Sequence, residues 1–465
     1  MYRQQLPALR IRPYRPRLEI LEDRNLLSTY RVDHLADDLV GDGLNGSLRY
    51  CITHATDGDT IQFGVTGTIN LSFGLPNLTH SISIEGPGAN SLTVRRDTGG
   101  YYGIFTVGSG TAVRIAGMTI ANGFVNGGIG GGIYNDYGTL TVSNSTISGN
   151  SAYEVCPFDY CYGGFGGGIY NDGTVTLNNS TVSGNFADYV GGGGIFNSGT
   201  VTLNNSTVSG NSADGNGGGI YISGGTLTVN NSTISGNTGT GGGIWVNGGA
   251  LHARNTIIAS NIATTTAPDL SGNLGSLGHN LIGNTQGGTG FDDTDLLNVN
   301  PLLGPLQDNG GPTQTMALLP GSPAIDAGDN SDAPDWDQRG PGFPRIVGII
   351  DPDNPVIDIG AFEVQDGGNR PGRFSMPGVK PVRLDVAVLL ETRPSQPLSG
   401  MRSETKPDLA LVDTLFANDS AVQPSAAVGP PAMMDVLTPS HRLKGSRQDL
   451  AQADTFDLFG AFLAD

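Results

Sequence analysis

Apolar and polar residues alternate in short runs that recur five times between Gly131 and Ala263. Each copy begins with a Gly-rich turn and an isoleucine, continues through a run such as TVTLNN, and closes on an Asn-Ser-Thr run ending in asparagine. Alternation with a period of two and many β-branched residues predicts β-strands, and the helical i, i+3, i+4 pattern is absent. Each copy holds about three such runs, separated by Gly, Asn and Asp residues that tolerate left-handed backbone.

The repeat length indicates how these strands are arranged. The isoleucine after the glycines recurs in steps of 36, 26, 25 and 24 residues, at Ile133, Ile169, Ile195, Ile220 and Ile244. Three short strands in a repeat of about 25 residues are typical of one coil of a parallel β-helix. We therefore predict an all-β parallel solenoid in which each strand pairs with its equivalent in the next coil.

Stacking the copies predicts which side chains lie inside the coils. The five isoleucines would form one aliphatic row, and two further rows are predicted from Leu140, Leu177, Leu203 and Leu227, and from Ile147, Val182, Val208 and Ile234. The closing asparagines would form an internal ladder whose amides bond coil to coil, at Asn150, Asn185, Asn211, Asn237 and Asn261. A polar binding strip is the alternative interpretation of these asparagines.

Charge narrows the range of partners. The chain has 465 residues, 73 of them glycine, and a net charge of -19. All three lysines, Lys380, Lys406 and Lys444, lie beyond the repeats. The negative net charge and the position of the lysines argue against nucleic acid and against an anionic membrane surface as partners. No stretch of 18 apolar residues predicts a membrane span. We expect a monomer.

The first repeat step is longer because of the insertion YEVCPFDYCYGG. A disulfide between Cys156 and Cys161 is the preferred interpretation of its two cysteines, because two thiols alone make a poor metal site. Cys51 is expected to be a buried apolar residue. Aromatic side chains in and beside the insertion are candidates for stacking on sugars or docking a protein, although they could equally pack back over the coil: Tyr153, Phe158, Tyr160 and Tyr162.

Sequence motifs outside the repeats resemble known bacterial surface proteins. The stretch from Asn280 to Glu363 contains NPLLGPLQDNGGPTQTMALLPGSPAIDAGD and DIGAFE, and resembles the choice-of-anchor Q module that ends bacterial right-handed β-helix surface proteins. GGGIYN and STISGN are similar to strings of polymorphic outer membrane proteins and related adhesins, and LEILEDRNLLS is similar to an export-type leader. The resemblance implies right-handed coiling and a secreted or envelope location, and it transfers no catalytic residue.

These patterns divide the chain into four parts. We predict a disordered export-type leader over residues 1–29 and a β-helix with an N-terminal cap over 30–265. Residues 266–365 are predicted to form the terminal coils and cap of the choice-of-anchor Q-like module. The Pro/Gly-rich composition of residues 366–465 predicts a mostly disordered tail.

Parallel β-helices also host pectate lyases and related polysaccharide enzymes, so catalysis needs to be weighed. A lyase needs a basic residue near acids that hold Ca²⁺, and Arg95, Arg96 and Arg114 form the only basic group near an early coil. A hydrolase needs two carboxylates on one face. Asp136 and Asp172 occupy the same place in successive copies, but a serine follows in the next.

We therefore favour a non-catalytic secreted or cell-surface protein with an adhesive or scaffolding role, whose partner is an extracellular glycan or protein. A pectate lyase-like lyase or glycoside hydrolase is the alternative. No cofactor is expected apart from Ca²⁺, which the acid-rich region around DAGDNSDAPDWD could bind to stiffen the cap. The candidate ligands are Asp326, Asp329, Asp332 and Asp335. Solvated loop acids are the alternative interpretation.

Overall fold

The computed structural model describes residues 27–365, except 98, 158–160, 189–190 and 265–266. The chain divides into two units at Ser375, and every described residue belongs to the first. The predicted tail, all but the last three residues of the predicted leader, and the candidates Phe158 and Tyr160 lie outside the described residues.

Each coil of the repeat region passes through four short strands, one on each of four sheets that run along the solenoid. In the coil that begins at Ile169 these strands are Ile169–Asn171, Thr174–Asn178, Thr181–Ser183 and Phe186–Ala187. Each pairs in parallel with its equivalent in the next coil. The predicted all-β parallel β-helix is confirmed. The sequence predicted three strands per coil, because a fourth strand of two residues is too short to show alternation.

Sheet 1 carries the five-residue strands of the repeats and extends into the N-terminal coils. Its first two strands form an antiparallel hairpin and the others are parallel. In spatial order its strands are Gly41–Asp42, Asn45–Gly46, Thr29–Val32, Thr60–Phe63, Ser83–Glu85, Ala112–Ala116, Thr139–Ser143, Thr174–Asn178, Thr200–Asn204, Thr226–Asn230, Ala250–Arg254 and Leu270–Ser276.

Sheets 2 and 3 flank sheet 1 in every repeat coil. Sheet 2 consists of Gly67–Leu71, Leu92–Arg96, Thr119–Ala121, Thr146–Ser148, Thr181–Ser183, Thr207–Ser209, Thr233–Ser235, Ile257–Ile258, Leu281–Ile282 and Leu296–Leu297. Sheet 3 consists of Phe105–Val107, Ile133–Asn135, Ile169–Asn171, Ile195–Asn197, Ile220–Ile222 and Ile244–Val246, and joins sheet 1 through the long strand Leu270–Ser276.

Sheet 4 follows sheet 2 in each coil. It consists of Phe124–Asn126, Ser151–Val155, Phe186–Ala187, Ser212–Ala213, Thr238–Gly239 and Ile262–Ala263, and Tyr162–Gly163 pairs antiparallel with Ser151–Val155. Gly288–Thr289 pairs with Leu270–Ser276, and Leu303–Gln307 forms an antiparallel pair with Thr315–Leu318.

The interior rows largely follow the prediction. The isoleucine row is confirmed, as is the row of Ile147, Val182, Val208 and Ile234, all with no exposed surface. The predicted leucine row is wrong, because Leu140 pairs with Val175 and Val142 pairs with Leu177. The strands align at the threonine that begins each of them. Leu and Val therefore alternate at equivalent positions from one copy to the next. Burial of each such side chain stabilises the fold by about 1.5–3 kcal/mol.

The asparagine ladder is internal, as predicted. The backbone N–H and the Nδ2 of Asn185 both donate to Asn211 Oδ1, at 3.0 and 2.9 Å, and the same pattern recurs at each step. The ladder ends at Asp269, whose Oδ1 accepts from the backbone and side chain of Asn261. A second buried ladder joins Asn135, Asn171 and Asn197 on sheet 3. Both ladders satisfy backbone groups that the turns would otherwise leave unpaired.

The helix Leu48–His54 covers the first coil. The side chain of Ser47 accepts a hydrogen bond from the backbone N–H of Tyr50, which is the expected pairing for a helix N-cap. The helix buries Leu48, Cys51 and Ile52. Cys51 is a free, buried cysteine, as predicted, and burial raises the pKa of its thiol to about 12.

Residues 301–365, here called the return segment, lie along the outer surface of sheet 2. Thr181 Oγ1 donates to the carbonyl of Gln314 at 2.7 Å, and Thr207 Oγ1 donates to Gln338 Oε1 at 2.6 Å. Farther along, the backbone N–H of Ala361 donates to Thr233 Oγ1. Within the predicted terminal part, residues 270–297 thus add strands to the coils, whereas the return segment covers one side of them. No helix among the described residues is long and apolar enough to cross a membrane.

Candidate functional site

Four aromatic rings lie in line along the outside of sheet 4, each from a neighbouring coil. This aromatic row consists of Tyr101, Phe124, Tyr153 and Phe186, with centroid separations of 5.5, 5.0 and 5.1 Å in that order. Tyr101 is 68% exposed and the other three are partly exposed. The separations approach the strand spacing of about 4.8 Å, so the coils themselves set the positions of the rings.

The register of sheet 4 explains why the row is continuous. Phe124, Ser151 and Phe186 occupy equivalent positions in three successive coils. Ser151 is small, and the ring of Tyr153, two residues later, contacts both phenylalanine rings and fills the gap between them. At one end of the row the guanidinium of Arg96 lies 5.3 Å from the centre of the Phe124 ring.

Carboxylates lie beside the aromatic row. Asp188 follows Ala187 and Asp214 follows Ala213, which are equivalent positions in adjacent coils. Burial raises the pKa of Asp188, and the neighbouring Asp214 adds to this shift. Burial likewise raises the pKa of Glu154, whose Oε2 has no hydrogen-bond partner among the described residues. Asp188 and Asp214 therefore offer partly exposed hydrogen-bond acceptors next to the aromatic rings, whereas Glu154 Oε2 is buried.

Of the four predicted contact residues, Tyr153 belongs to the aromatic row and Tyr162 is 48% exposed on the strand paired with Ser151–Val155. The sulfurs of Cys156 and Cys161 are 2.06 Å apart, so the structure contains the expected disulfide, which closes the insertion. Sequence reasoning missed Tyr101, Phe124 and Phe186. Phe124 and Phe186 could have been found by stacking the residues that follow the strands of sheet 2.

The structure does not bring the three candidate arginines together. Arg95 and Arg96 end a strand of sheet 2, whereas Arg114 lies on sheet 1. Arg114 Nε donates to Glu85 Oε1 at 2.8 Å, and Arg95 Nε donates to Asn70 Oδ1 at 2.7 Å. Arg96 reaches the aromatic row, where its Nε donates to the carbonyl of Asn122.

The four candidate calcium ligands also separate. Asp329 and Asp332 both face Arg254, at 3.7 and 3.3 Å, and the Asp335 carbonyl accepts from the backbone N–H of Arg345. Asp326 instead groups with two acids that the prediction did not include in the ligand set, Asp358 and Glu363, with one oxygen of each within 4.8 Å of the others.

Asp326, Asp358 and Glu363 form a buried ionic cluster with Arg345. Arg345 is fully buried, and its Nε lies 3.9 Å from Glu363 Oε2. Burial raises the pKa of Asp358 to about 6 and that of Glu363 to about 9. Backbone amides of residues 326, 350 and 364 donate to these carboxylates, so the cluster fastens together distant parts of the return segment.

Asp136 and Asp172 lie in equivalent turns after sheet 3. Tyr134 donates to Asp136 Oδ1 at 3.1 Å, and Tyr170 bonds to Asp172 in the next coil. Burial raises the pKa of Asp172. The two tyrosines begin a second line of rings that continues through Phe196 and Tyr221. Since Phe196 and Tyr221 are only 7% and 4% exposed, this second line is mainly packing.

Comparison with known proteins gives the fold a family context. The family model described as a right-handed beta helix region matches residues 81–262. The chain is a right-handed parallel β-helix over this range. A solved structure described as the crystal structure of pectate lyase Pel9A is similar, with 15% sequence identity and a TM-score of 0.39 over 73% of this chain and 98% of that one. No curated protein matches the sequence.

Proposed function

We propose that the protein is a non-catalytic, secreted or cell-surface β-helix protein that binds an extracellular glycan along the aromatic row. The observation that carries this proposal is the line of four partly exposed rings, at separations of 5.0 to 5.5 Å, with carboxylates beside it. The secreted or surface location rests on the resemblance of the leader and terminal motifs.

The chemistry of a sugar matches both the aromatic rings and the carboxylates of this surface. The C–H face of a pyranose ring is apolar and stacks on aromatic rings, while its rim carries hydroxyl donors. Asp188 and Asp214, which are partly exposed and exposed, offer carboxylate acceptors at the edge of the row. Three intervals of about 4.8 Å make the row roughly 15 Å long, so it suits several units of a linear glycan lying along the solenoid. The packed coils hold the rings in place before binding, which lowers the entropic cost.

The surroundings of the row favour binding over catalysis. The candidate base Arg114 lies on another sheet and is paired with Glu85. Arg96, at the end of the row, is engaged with the Phe124 ring and the Asn122 carbonyl. Asp188 and Asp214 follow equivalent strand ends in adjacent coils, on the same side of the Phe186 position, whereas a glycosidase places two carboxyl groups on either side of the scissile bond.

The proposal is tested with a glycan array, followed by calorimetry on the best ligand. Tyr153→Ala and Phe186→Ala should each weaken binding roughly 2- to 13-fold, from about 0.5–1.5 kcal/mol per lost aromatic contact. Tyr137→Ala is the matched control, because Tyr137 is a 66% exposed tyrosine outside the row. Absence of any glycan ligand, or equal losses in the row and control variants, would refute the proposal.

A glycoside hydrolase centred on Asp136 and Asp172 is a second candidate. It is supported by two carboxyl groups in adjacent coils, each bonded to a tyrosine, one of them with a pKa raised by burial. A pKa raised by burial, as at Asp172, suits a general acid, and Asp136 supplies the second carboxyl group that a glycosidase requires. Reducing-sugar release from a polysaccharide panel that Asp172→Asn abolishes would favour this function over simple binding.

A further inference from the structure

The outer surface of sheet 1 carries a two-dimensional array of threonines. Two residues on each of four successive strands point outward in register, forming two parallel rows. We call this array the threonine face. Its first row is Thr139, Thr174, Thr200 and Thr226, and its second row is Thr141, Thr176, Thr202 and Thr228.

The threonine face is open and uncharged. All eight side chains are exposed or partly exposed, and none of their hydroxyl groups has a hydrogen-bond partner among the described residues. Alanines continue the first row at both ends, at Ala112 and Ala250. Charge or titratable groups enter only at the ends of the second row, where Arg114 and His252 occupy the threonine positions.

The array is also rigid. Beneath it lie the fully buried leucine and valine rows of sheet 1. Along one edge, the outward amides of Asn178, Asn204 and Asn230 form a hydrogen-bonded ladder with steps of 3.0 Å. Threonine itself has few χ1 rotamers, so its methyl and hydroxyl groups keep fixed positions.

We propose that the threonine face binds ice. Hydroxyl and methyl groups repeat about every 4.8 Å along the solenoid and about every 6.7 Å along each strand. Both repeats are close to the oxygen repeats on a prism plane of hexagonal ice. Water held at the hydroxyls and around the methyls therefore already has nearly the spacing of an ice crystal, and it joins a growing ice surface with little reordering.

The chemistry of the face favours this partner over the glycan proposed for sheet 4. The eight threonine positions hold no aromatic ring on which a sugar could stack, and the one cation in line with them is Arg114, at the end of the second row. A neutral array that repeats in two directions instead matches a neutral lattice that does the same. The inference is independent of the proposed glycan binding, since it concerns a different sheet.

The test uses the full chain, frozen slowly onto a cold finger, with the protein retained in the ice measured against that left in the liquid. Ice recrystallisation is followed in parallel. Wild-type protein should be retained in the ice and should slow recrystallisation. Thr202→Lys, at the centre of the face, should lose both effects. Thr264→Lys adds the same charge at an exposed threonine outside the face and should keep both.

Two further variants separate the explanations. Thr202→Val keeps the shape and methyl group and should retain most ice binding, which a general loss of folding would not allow. Tyr153→Ala should leave ice binding unchanged, whereas it should weaken glycan binding. Exclusion of folded wild-type protein from ice would overturn the inference. So would retention of Thr202→Lys at the wild-type level, or equal loss in the Thr264→Lys control.

Discussion

Asn211→Ala should reveal how much the internal asparagine ladder stabilises the solenoid. Asn211 is 1% exposed. Its Oδ1 accepts from both the backbone and the side chain of Asn185, at 3.0 and 2.9 Å. Its Nδ2 donates to the carbonyl of Val182 at 3.0 Å and to Asn237 Oδ1 at 2.9 Å. Alanine removes all four of these hydrogen bonds at once.

The magnitude follows from what is left behind. Asn185 Nδ2 keeps its bond to the Ile147 carbonyl, and Asn237 Oδ1 keeps the backbone N–H of residue 211. The backbone N–H of Asn185 is left buried without its acceptor. Four lost bonds at about 1 kcal/mol each, with about 1–3 kcal/mol for the unpaired amide, give a loss of about 5–7 kcal/mol in unfolding free energy.

Asn204→Ala provides the matched control, because Asn204 belongs to the outward ladder on the neighbouring face. It makes two side-chain bonds of 3.0 Å, both partly exposed to water. We expect a loss of about 1 kcal/mol or less. Guanidinium denaturation of both variants measures the difference. Hydrogen exchange should show lost protection centred on residues 182–237 in Asn211→Ala, since each coil contacts only its neighbours.

Equal destabilisation by Asn211→Ala and Asn204→Ala would refute this reasoning. It would mean that the buried amides contribute no more than exposed ones, and that the aliphatic rows alone hold the coils in register.

Two further predictions concern the return segment. The pKa of Glu363 is about 9 in the folded protein and ordinarily 4.5, so the folded state holds the extra proton between these values. Stability should therefore fall as pH rises from 5 to 9, and Glu363→Gln should flatten the profile in denaturation curves; a flat wild-type profile would contradict this. Gln338→Ala removes bonds to Thr181 and Thr207, so limited proteolysis within residues 301–365 should accelerate while the thermal midpoint of the coils stays unchanged. Unchanged proteolysis would count against that role.

Much of the fold follows from the repeat itself. The spacing of Ile133 and its equivalents predicts the coils, and the closing asparagines predict an internal ladder, because both depend on positions that recur along one chain. The insertion and its two cysteines are equally visible in the sequence. The register of the leucine row could not be read from the sequence, because Leu and Val are interchangeable in the pattern. Only strand pairing decides which residues meet.

The candidate sites depended more on tertiary structure. Tyr153 could be singled out, but Tyr101, at the end of its row, lies in a coil that the repeat pattern does not include. Likewise, the sequence grouped Asp326 with nearby acids, whereas folding placed it against Asp358 and Glu363.

The sequence by itself determined that the chain coils, since a repeated strand pattern pairs with its own copies through local and nearest-neighbour interactions. Only the tertiary structure decided which surfaces remain open. The return segment covers sheet 2 through bonds such as Thr207 to Gln338, 131 residues apart, and leaves the threonines of sheet 1 exposed. Contacts between residues so far apart in the chain depend on the path that the return segment takes over the coils. A repeating pattern of strands does not encode that path.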